Sequence, residues 1–399
     1  MTRKPKPPGK GTPIAGPSLL EGVSLPAAVI FDAALRHNLA WMQRFADDHG
    51  ARLAPHGKTT MTPALFRRQL EAGAWGITLA TAIQCAAAFD HGVKRLLMAN
   101  QLVGTPNMAV IAGLLERGAD YFCLVDSVAN VEALERYFAP RGLIVQVLVE
   151  LGVPGGRCGV RNDAGLEKVV GAIAASPAVA LCGIEGYEGL IGGEQAVEQV
   201  RSYGRRLVDT VCTLRRAGAF GDRKPIVTAA GSQWFDLIAE AFDQADLRDH
   251  CTPVLRPGCY VVHDHRSYRD AMAEVKVRHP ELEGELEPAL AVFAHVQSLP
   301  EPGMAVVAMG KRDISVDPDL PIPLQLHRPG EPARRLTGCS VRRVMDQHAM
   351  MAVPGDAGLR IGDIVSFGAS HPCLTLDKWR QVLLVDNDLQ VLEVMPTFF

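Results

Sequence analysis

The sequence predicts an α/β protein in which a (β/α)8 TIM-type barrel precedes a mostly antiparallel C-terminal β domain. Over about two hundred residues, short apolar runs alternate with amphipathic segments, which is the pattern of parallel strands and helices. After about residue 268, strand-like runs broken by Pro and Gly replace this alternation. With 399 residues, 48% apolar and 21% charged, the chain has the composition of a globular protein with one or two large domains.

The elements of the barrel follow in order after an apolar strand at 26–32 and an amphipathic helix that Gly50 ends. The eight barrel strands are predicted at 51–55, 76–81, 95–100, 120–126, 143–151, 180–187, 225–230 and 253–256. The helices are predicted at 62–74, 82–92, 105–118, 127–140, 163–176, 194–217 and 234–248. A doubly wound open sheet is the competing layout, but no G-x-G-x-x-G follows an early strand.

Three segments are expected along the chain. Residues 1–24 form a basic tail that is rich in Pro and Gly and is predicted to be disordered. The barrel is predicted at 25–268 and the β domain at 269–399. The strand at 26–32 exceeds the count of eight and is a candidate to pair with the β domain. The net charge of −3 favours neither a nucleic-acid nor a membrane partner. Nine cysteines without a C-x-x-C pair, and no apolar signal segment, predict a reduced, cytoplasmic protein.

Lys58 stands where the first barrel strand ends, in the sequence Pro-His-Gly-Lys-Thr. A barrel of this type carries its chemistry at the C-terminal ends of its strands. The last two strands end in residues 231–232 and 258–260, whose backbone N–H groups are predicted to be exposed where barrels hold phosphate. An amine facing a phosphate cradle suits pyridoxal phosphate. A solvated surface lysine, with glycines that only form turns, is the competing interpretation.

Seven motifs occur together over about residues 25–395. They are DAALRHNLAWMQ, PHGKT, RCGV, GYEG, VLRPGCY, GKRDISVD and SHPCLTLDKW. Their combination resembles the D-threonine aldolase and D-serine dehydratase family of alanine racemase-like enzymes. The resemblance implies a fold-type III pyridoxal-phosphate enzyme with a divalent metal, and a homodimer.

The resemblance also implies roles for residues of the barrel. Lys58 would bind pyridoxal phosphate through a Schiff base, with His56 beside it as a proton shuttle or a support for the site. Arg157 would face the phenolic oxygen of the cofactor, and Tyr187 the edge of its pyridine ring. The other residues expected to line the cofactor, mostly at its phosphate, are Thr81, Gly231, Ser232, Gly258, Cys259 and Tyr260. Without the resemblance, Tyr187 would be a core aromatic residue and Arg157 a loop residue.

His371 and Cys373 form the H-x-C segment that the resemblance assigns to a divalent metal, and the soft thiolate favours zinc over manganese or magnesium. A turn that merely places the two side chains together is the competing interpretation. In the aldolase branch, a histidine follows the tyrosine by six residues, and here that position is Gly193. In the aldolases, the metal-binding segment resembles H-x-D, whereas this chain has H-x-C. Both departures favour a dehydratase, although Glu188 is a candidate substitute base.

The predicted reaction is therefore dehydration and deamination of a D-3-hydroxy amino acid, such as D-serine or D-threonine, to a 2-oxo acid and ammonia. Retro-aldol cleavage to glycine and an aldehyde is the alternative on the same scaffold, and a racemase is a third. A barrel that binds pyridoxal phosphate without catalysis is the alternative from another class. A second local cluster, His263-Asp264-His265, is expected at a surface or an interface, on a strand that turns both histidines to one side.

Overall fold

The computed structural model describes residues 9–247 and 249–399, which divide into two compact units. The first, called here the β unit, contains the described residues up to Trp41, together with Thr59–Ala64 and Cys259–Phe399. The second, called the barrel unit, contains Met42–Lys58 and Leu65–Gly258. Among the helices of the described residues, none is both long enough and apolar enough to cross a membrane.

The N-terminal segment of the β unit is folded from residue 9 onward, and residues 1–8 of the predicted tail lie outside the described residues. Helix α1 (Leu19–Gly22) precedes strand β1 (Ala27–Phe31) and helix α2 (Asp32–Asp48). Leu19 is fully buried and packs in the same cluster as Val23. Burial of these apolar side chains away from water therefore explains why residues 9–24 are folded.

The barrel unit contains eight short parallel strands. They are β2 (Arg52–Leu53), β3 (Ile77–Leu79), β4 (Arg95–Gln101), β5 (Asp120–Val125), β6 (Val145–Leu151), β7 (Val179–Gly186), β8 (Ile226–Ala229) and β9 (Thr252–Leu255). The helices that alternate with them are α3 (Pro63–Glu71), α4 (Ala82–Asp90), α5 (Thr105–Glu116), α6 (Val128–Phe138), α7 (Asp163–Ala175), α8 (Ala196–Arg216) and α9 (Phe235–Gln244). Each predicted strand therefore overlaps an observed one, and the differences are confined to the ends.

The eight-stranded sheet runs in the order β2-β9-β8-β7-β6-β5-β4-β3 and then closes on itself. The backbone N–H of Thr78 donates to the carbonyl of Pro55 at 2.9 Å, and that of Trp75 to Leu53 at 2.6 Å, which joins β2 to β3. This closure confirms the barrel and excludes the doubly wound sheet. The interior is filled by Ala54, Leu97, Phe122, Leu124, Leu148, Cys182, Ile226 and Val254.

The second sheet belongs to the β unit and is mostly antiparallel. Its strands after the barrel are β10 (Leu290–Glu301), β11 (Met304–Val307), β12 (Ile322–His327), β13 (Arg334–Arg335), β14 (Ser340–Val344), β15 (Ala349–Ala352), β16 (Ile364–Gly368), β17 (Gln381–Val385) and β18 (Val391–Pro396). Strand β1 joins this sheet, antiparallel to β10 and parallel to β17. The strand predicted at 26–32, which exceeded the eight barrel strands, therefore pairs with the sheet of the β unit and not with the barrel.

Two features of the β unit differ from the sequence expectations. Helix α10 (Ser267–Arg278) stands where little helical periodicity was recognised, and the four-residue helix α11 (Cys373–Leu376) lies before β17. His263 and Asp264 are buried, so the prediction of a surface cluster was wrong. They do not lie on a strand, because a 3-10 turn at Cys259–Val261 precedes them and α10 follows. The backbone at His263 is left-handed, with φ of 48°.

Candidate functional site

The lysine loop follows β2 and forms a 3-10 turn at Gly57–Thr59. A Cβ atom at Gly57 would lie 2.7 Å from the ring of Phe66 and 2.8 Å from Ile77, so the turn packs against α3 and β3 only because residue 57 has no side chain. Lys58 is the middle residue of this turn and is exposed. The sequence prediction that a strand end presents this amine agrees with its position.

His56 precedes the turn and bridges to Thr78 of β3. Its ring Nδ1 is buried and has no hydrogen-bond partner among the described residues. The pKa of His56 is lowered well below its usual value, first by burial and then by the positive charges of Arg256, Lys58 and Arg157. The imidazole is therefore uncharged at neutral pH and has a nitrogen available for a ligand.

Arg157 and Tyr187 come from the loops that follow β6 and β7. The guanidinium carbon of Arg157 lies 4.2 Å from the centroid of the Tyr187 ring, which is cation–π geometry. The tyrosine ring lies over Gly189, where a Cβ atom would be 2.3 Å from the phenolic oxygen. The structure therefore brings together the two residues that sequence resemblance assigned to opposite edges of one cofactor ring.

A buried ion pair that the sequence analysis did not single out lies at the ends of β7 and β9. Arg256 donates to a carboxylate oxygen of Glu185, and also to the carbonyl of Gly186 at 2.8 Å. Both side chains are about 2% exposed. Arg256 Nε and Glu185 Oε2 have no partner among the described residues. The available sequence signal was a charged residue inside each of two apolar runs, VLRPG and GIEGY.

Three backbone N–H groups at the ends of the last two strands are already hydrogen-bonded to side chains. Buried Glu188 accepts from the N–H of Ala230 at 3.1 Å and from that of Gly231 at 2.6 Å. Ser232 Oγ accepts from the N–H of Gly258 at 3.2 Å. The expectation of exposed N–H donors at Gly231 and Gly258 was therefore wrong, since a side chain from the preceding strand-end loop accepts each of these hydrogens.

Three other predicted residues have ordinary structural roles. Thr81 is exposed and caps α4, because its hydroxyl accepts from the N–H of Gln84 at 3.2 Å. Cys259 and Tyr260 lie buried in the 3-10 turn that follows β9. None of these roles prevents the same residue from facing a ligand.

An acidic cluster lies near the ends of β5 and β6. The possible ligand atoms of Asp126, Glu150 and Cys158 all lie within 4.8 Å of one another. Gln101 donates to Glu150 at 2.7 Å, and the N–H of Gly159 donates to Asp126 at 2.9 Å. Burial, followed by the charge of Glu185, raises the pKa of Glu150 to about 7. Protein hydrogen bonds thus account for this cluster, which the sequence analysis did not identify.

The predicted metal ligands meet in the β unit, together with a third residue. The ligand atoms of His371, Cys373 and Cys259 all lie within 4.8 Å of one another. A hydrogen bond with Cys259, and then the charge of His371, lowers the pKa of the Cys373 thiol. Thr59, the residue after Lys58, lies 3.4 Å from the Cys373 sulfur. Two thiols and an imidazole are a donor set that fits a zinc-type divalent cation.

The barrel residues also fit pyridoxal phosphate. Buried polar atoms of His56, Glu185 and Arg256 lack partners within the described part of the chain, although such atoms are normally hydrogen-bonded. They lie at the ends of strands, beside an exposed lysine amine, and three cationic side chains act on the imidazole. A polar ring that carries an anionic phosphate matches this combination of an amine, positive charge and unpaired buried polar atoms.

Two family models match the chain. The one described as "Alanine racemase, N-terminal domain" matches residues 30–247, and the one described as "Putative serine dehydratase domain" matches residues 289–385. Among curated proteins, the chain is similar to a D-threonine aldolase from Arthrobacter sp, with 27% identity over 376 residues that cover 92% of this chain and 89% of that protein.

Solved structures with similar folds include both kinds of lyase. The D-threo-3-hydroxyaspartate dehydratase from Delftia sp. HT23 has 25% identity and a TM-score of 0.77, with 96% of this chain and 99% of that chain covered. The D-threonine aldolase from Filomicrobium marinum has 23% identity and a TM-score of 0.81, with 96% and 97% covered. These likenesses confirm the predicted alanine racemase-like fold.

Proposed function

The chain belongs to the family described as alanine racemase, N-terminal domain, and on this premise we propose that it is a pyridoxal-phosphate- and metal-dependent dehydratase of D-3-hydroxy amino acids. The products would be a 2-oxo acid and ammonia. The relatives are named as aldolases and dehydratases. What these names share is a lyase that acts on a small D-hydroxyamino acid. The choice of dehydration goes further and depends on this chain's own residues.

Lys58 would hold the aldehyde of the cofactor, and His371 and Cys373 would hold the metal. When bound, pyridoxal phosphate supplies an electron sink and the metal supplies a Lewis acid for the departing hydroxyl group. Lys58 Nζ, carried by the middle residue of the 3-10 turn, takes the proton from the α-carbon of the substrate. His56 is uncharged, so it accepts and passes on protons without adding positive charge.

Residues around the lysine would position the cofactor. Arg157, stacked on Tyr187, presents a permanent positive charge toward an anionic ring oxygen. Arg256 is held by Glu185 and Gly186 and keeps its Nε–H for a ring atom or an ordered water. Ser232, whose side-chain oxygen accepts from the N–H of Gly258, would be one of the residues that line the phosphate.

The observation that favours dehydration concerns the base that a retro-aldol reaction needs. That reaction removes the proton of the β-hydroxyl group, whereas elimination removes only the α-proton. Gly193 has no side chain, and Glu188 accepts backbone N–H groups of Ala230 and Gly231. Glu188 is therefore engaged in holding the loop after β8. Residues 188 and 193 are the two positions that the sequence analysis considered for a base that removes the proton of the β-hydroxyl group.

Retro-aldol cleavage to glycine and an aldehyde is the second candidate. It is favoured by the similarity to a D-threonine aldolase over 92% of this chain. In that case the unpartnered Nδ1 of His56 would accept the hydroxyl proton. Zinc as the metal, a homodimer and a cytoplasmic location stay predictions from the sequence resemblance and composition.

The test is to incubate the enzyme, loaded with pyridoxal phosphate and zinc, with D-serine, D-threonine or 3-hydroxy-D-aspartate, with and without a chelator. Equal amounts of 2-oxo acid and ammonia, lost on chelation, support the dehydratase. Glycine and an aldehyde support the second candidate instead. If neither pair of products forms from any of these substrates, the proposed function is wrong.

A further inference from the structure

Cys259 is a buried cysteine whose side chain lies in the metal cluster. Its sulfur is 3.7 Å from that of Cys373, although 114 residues separate the two. The His371 ligand atom completes a group in which every pair of ligand atoms is within 4.8 Å. The sequence analysis grouped Cys259 with the residues that line the cofactor. Its backbone can serve there, because the backbone and the side chain of one residue are separate groups.

The distance between the two sulfur atoms matches a shared zinc ion. Two sulfur ligands at about 2.3 Å from zinc with a tetrahedral angle are about 3.8 Å apart. The observed separation of 3.7 Å is within this geometry. A disulfide would require about 2.05 Å. Two thiols that only share a hydrogen bond would also fit the distance, so the third ligand atom is decisive, because His371 converges on the same point.

We propose that Cys259 is a third protein ligand of the metal, which gives a His-Cys-Cys site with one open position for the substrate hydroxyl group. This inference rests on the proposed metal-dependent function. Three protein ligands and one exchangeable position are the usual composition of a catalytic zinc site, whereas two ligands would leave the ion weakly held.

The surroundings of the three ligands hold them in place. The ring of Tyr268 lies 5.5 Å from the His371 ring, and Tyr268 also hydrogen-bonds with the Cys259 sulfur. Thr375 Oγ1 donates to the backbone carbonyl of His371 at 3.0 Å, which fixes the turn that carries both ligands of the H-x-C segment. Such supporting contacts are typical of metal ligands and set their orientation.

The proposed ligand set has a consequence for metal choice. Two thiolates and one imidazole are soft ligands, which favour zinc or cobalt over manganese and magnesium. Their two negative charges also balance the charge of a divalent ion in a partly buried site. We therefore expect zinc to bind more tightly than manganese to this chain, and the preference to weaken when Cys259 is replaced.

The experiment measures zinc binding directly and needs no substrate. X-ray absorption at the zinc edge of the reduced holoenzyme should count two sulfur ligands at about 2.3 Å, and only one in Cys259→Ala. The zinc dissociation constant, measured by chelator competition, should rise at least about 100-fold in Cys259→Ala, because even the loss of a supporting contact costs 10- to 100-fold. Cys251→Ala, a buried cysteine in the barrel unit, is the matched control and should leave zinc binding unchanged.

One sulfur ligand in the wild-type protein, or an unchanged dissociation constant in a folded Cys259→Ala protein, overturns the inference. The wild-type count decides the matter even if the variant does not fold. Because neither readout uses turnover, the two proposals fail separately. Two sulfur ligands in a protein that releases neither 2-oxo acid nor glycine would support the ligand set and reject the function.

Discussion

At the residue scale, the barrel mouth combines one imidazole with several positive charges. His56 is kept uncharged by burial and by Arg256, Lys58 and Arg157. Arg256 is itself balanced by Glu185 in a fully buried pair, so removal of either partner would leave an uncompensated charge. The resulting site combines the cationic side chains of Lys58 and Arg157 with a neutral nitrogen that can accept a proton.

Replacing Lys58 by Ala removes the amine proposed to hold the cofactor. We expect Lys58→Ala to lose the near-visible absorption band of covalently bound pyridoxal phosphate, and with it all turnover. Absorption spectra of the purified protein check this. Lys168→Ala, in which an exposed lysine of α7 is replaced, is the control and should keep the band. A covalent band that persists in Lys58→Ala would mean that another amine binds the cofactor.

Cys373→Ala separates the metal from the cofactor. The variant should retain the cofactor band, because none of the predicted cofactor side chains is altered. Turnover with D-serine should fall at least about 100-fold, since a Lewis acid contributes several kcal/mol to the departure of a hydroxyl group. Steady-state kinetics with added zinc measure the loss. Full activity of a metal-free Cys373→Ala protein is the result that contradicts the metal role.

At the scale of elements, the loop after β8 depends on a single side chain from the loop after β7. Glu188 accepts from Ala230 and Gly231, and Ala230 has a left-handed backbone with φ of 78°. A left-handed conformation is unfavourable for alanine, so the carboxylate compensates for local strain. Burial raises the pKa of Glu188, although the backbone N–H groups that it accepts act in the opposite direction.

Glu188→Ala should therefore destabilise the barrel unit. The free energy of unfolding should fall by about 2–4 kcal/mol, because two backbone N–H groups lose their acceptor. Glu188→Gln keeps one acceptor oxygen and should lose about half as much. Urea unfolding curves measure both. Ala230→Gly relieves the strain and should stabilise the protein or leave it unchanged, so a large loss in that variant would contradict the strain argument.

At the scale of the whole molecule, each compact unit has its own hydrophobic core and its own proposed site. Apolar residues of β1, β10 and β17 pack together in the β unit, and apolar residues of the consecutive strands β4 to β9 fill the barrel interior. The three residues proposed as metal ligands, Cys259, His371 and Cys373, all lie in the β unit, and Lys58 lies in the barrel unit.

Stability should depend on pH through Glu150. Its pKa is about 7 in the folded chain against an ordinary 4.5, so the folded state holds a proton that the unfolded state releases between these values. The unfolding free energy should therefore fall as pH rises from about 4.5 to about 7 and level off above that, by about 3 kcal/mol in total. Urea midpoints between about pH 5 and pH 8 measure this slope.

The variant Glu150→Gln cannot ionise and should show a flatter pH profile than the wild-type protein. Glu132→Gln, at an exposed position of α6, is the matched control and should keep the wild-type slope. An identical slope in Glu150→Gln and the wild-type protein would assign the effect to other groups.

The sequence alone determined the order of the barrel strands and helices and the strand end that is followed by Lys58. Both are local properties: the spacing of apolar residues within a segment decides its type, and a Pro-His-Gly-Lys break ends a strand wherever the strand lies. The H-x-C pair was equally visible, because its two members lie in one short segment. The family resemblance added roles to these positions.

Only the tertiary structure decided which distant residues meet. Cys259 and Cys373 approach across 114 positions, and Arg256 reaches Glu185 across 71. The N–H groups of residues 230 and 231 are taken by a carboxylate more than 40 positions earlier, which no local pattern contains. Periodicity reports how a segment faces water, but it contains no information on which side chains a closed barrel brings to the same point.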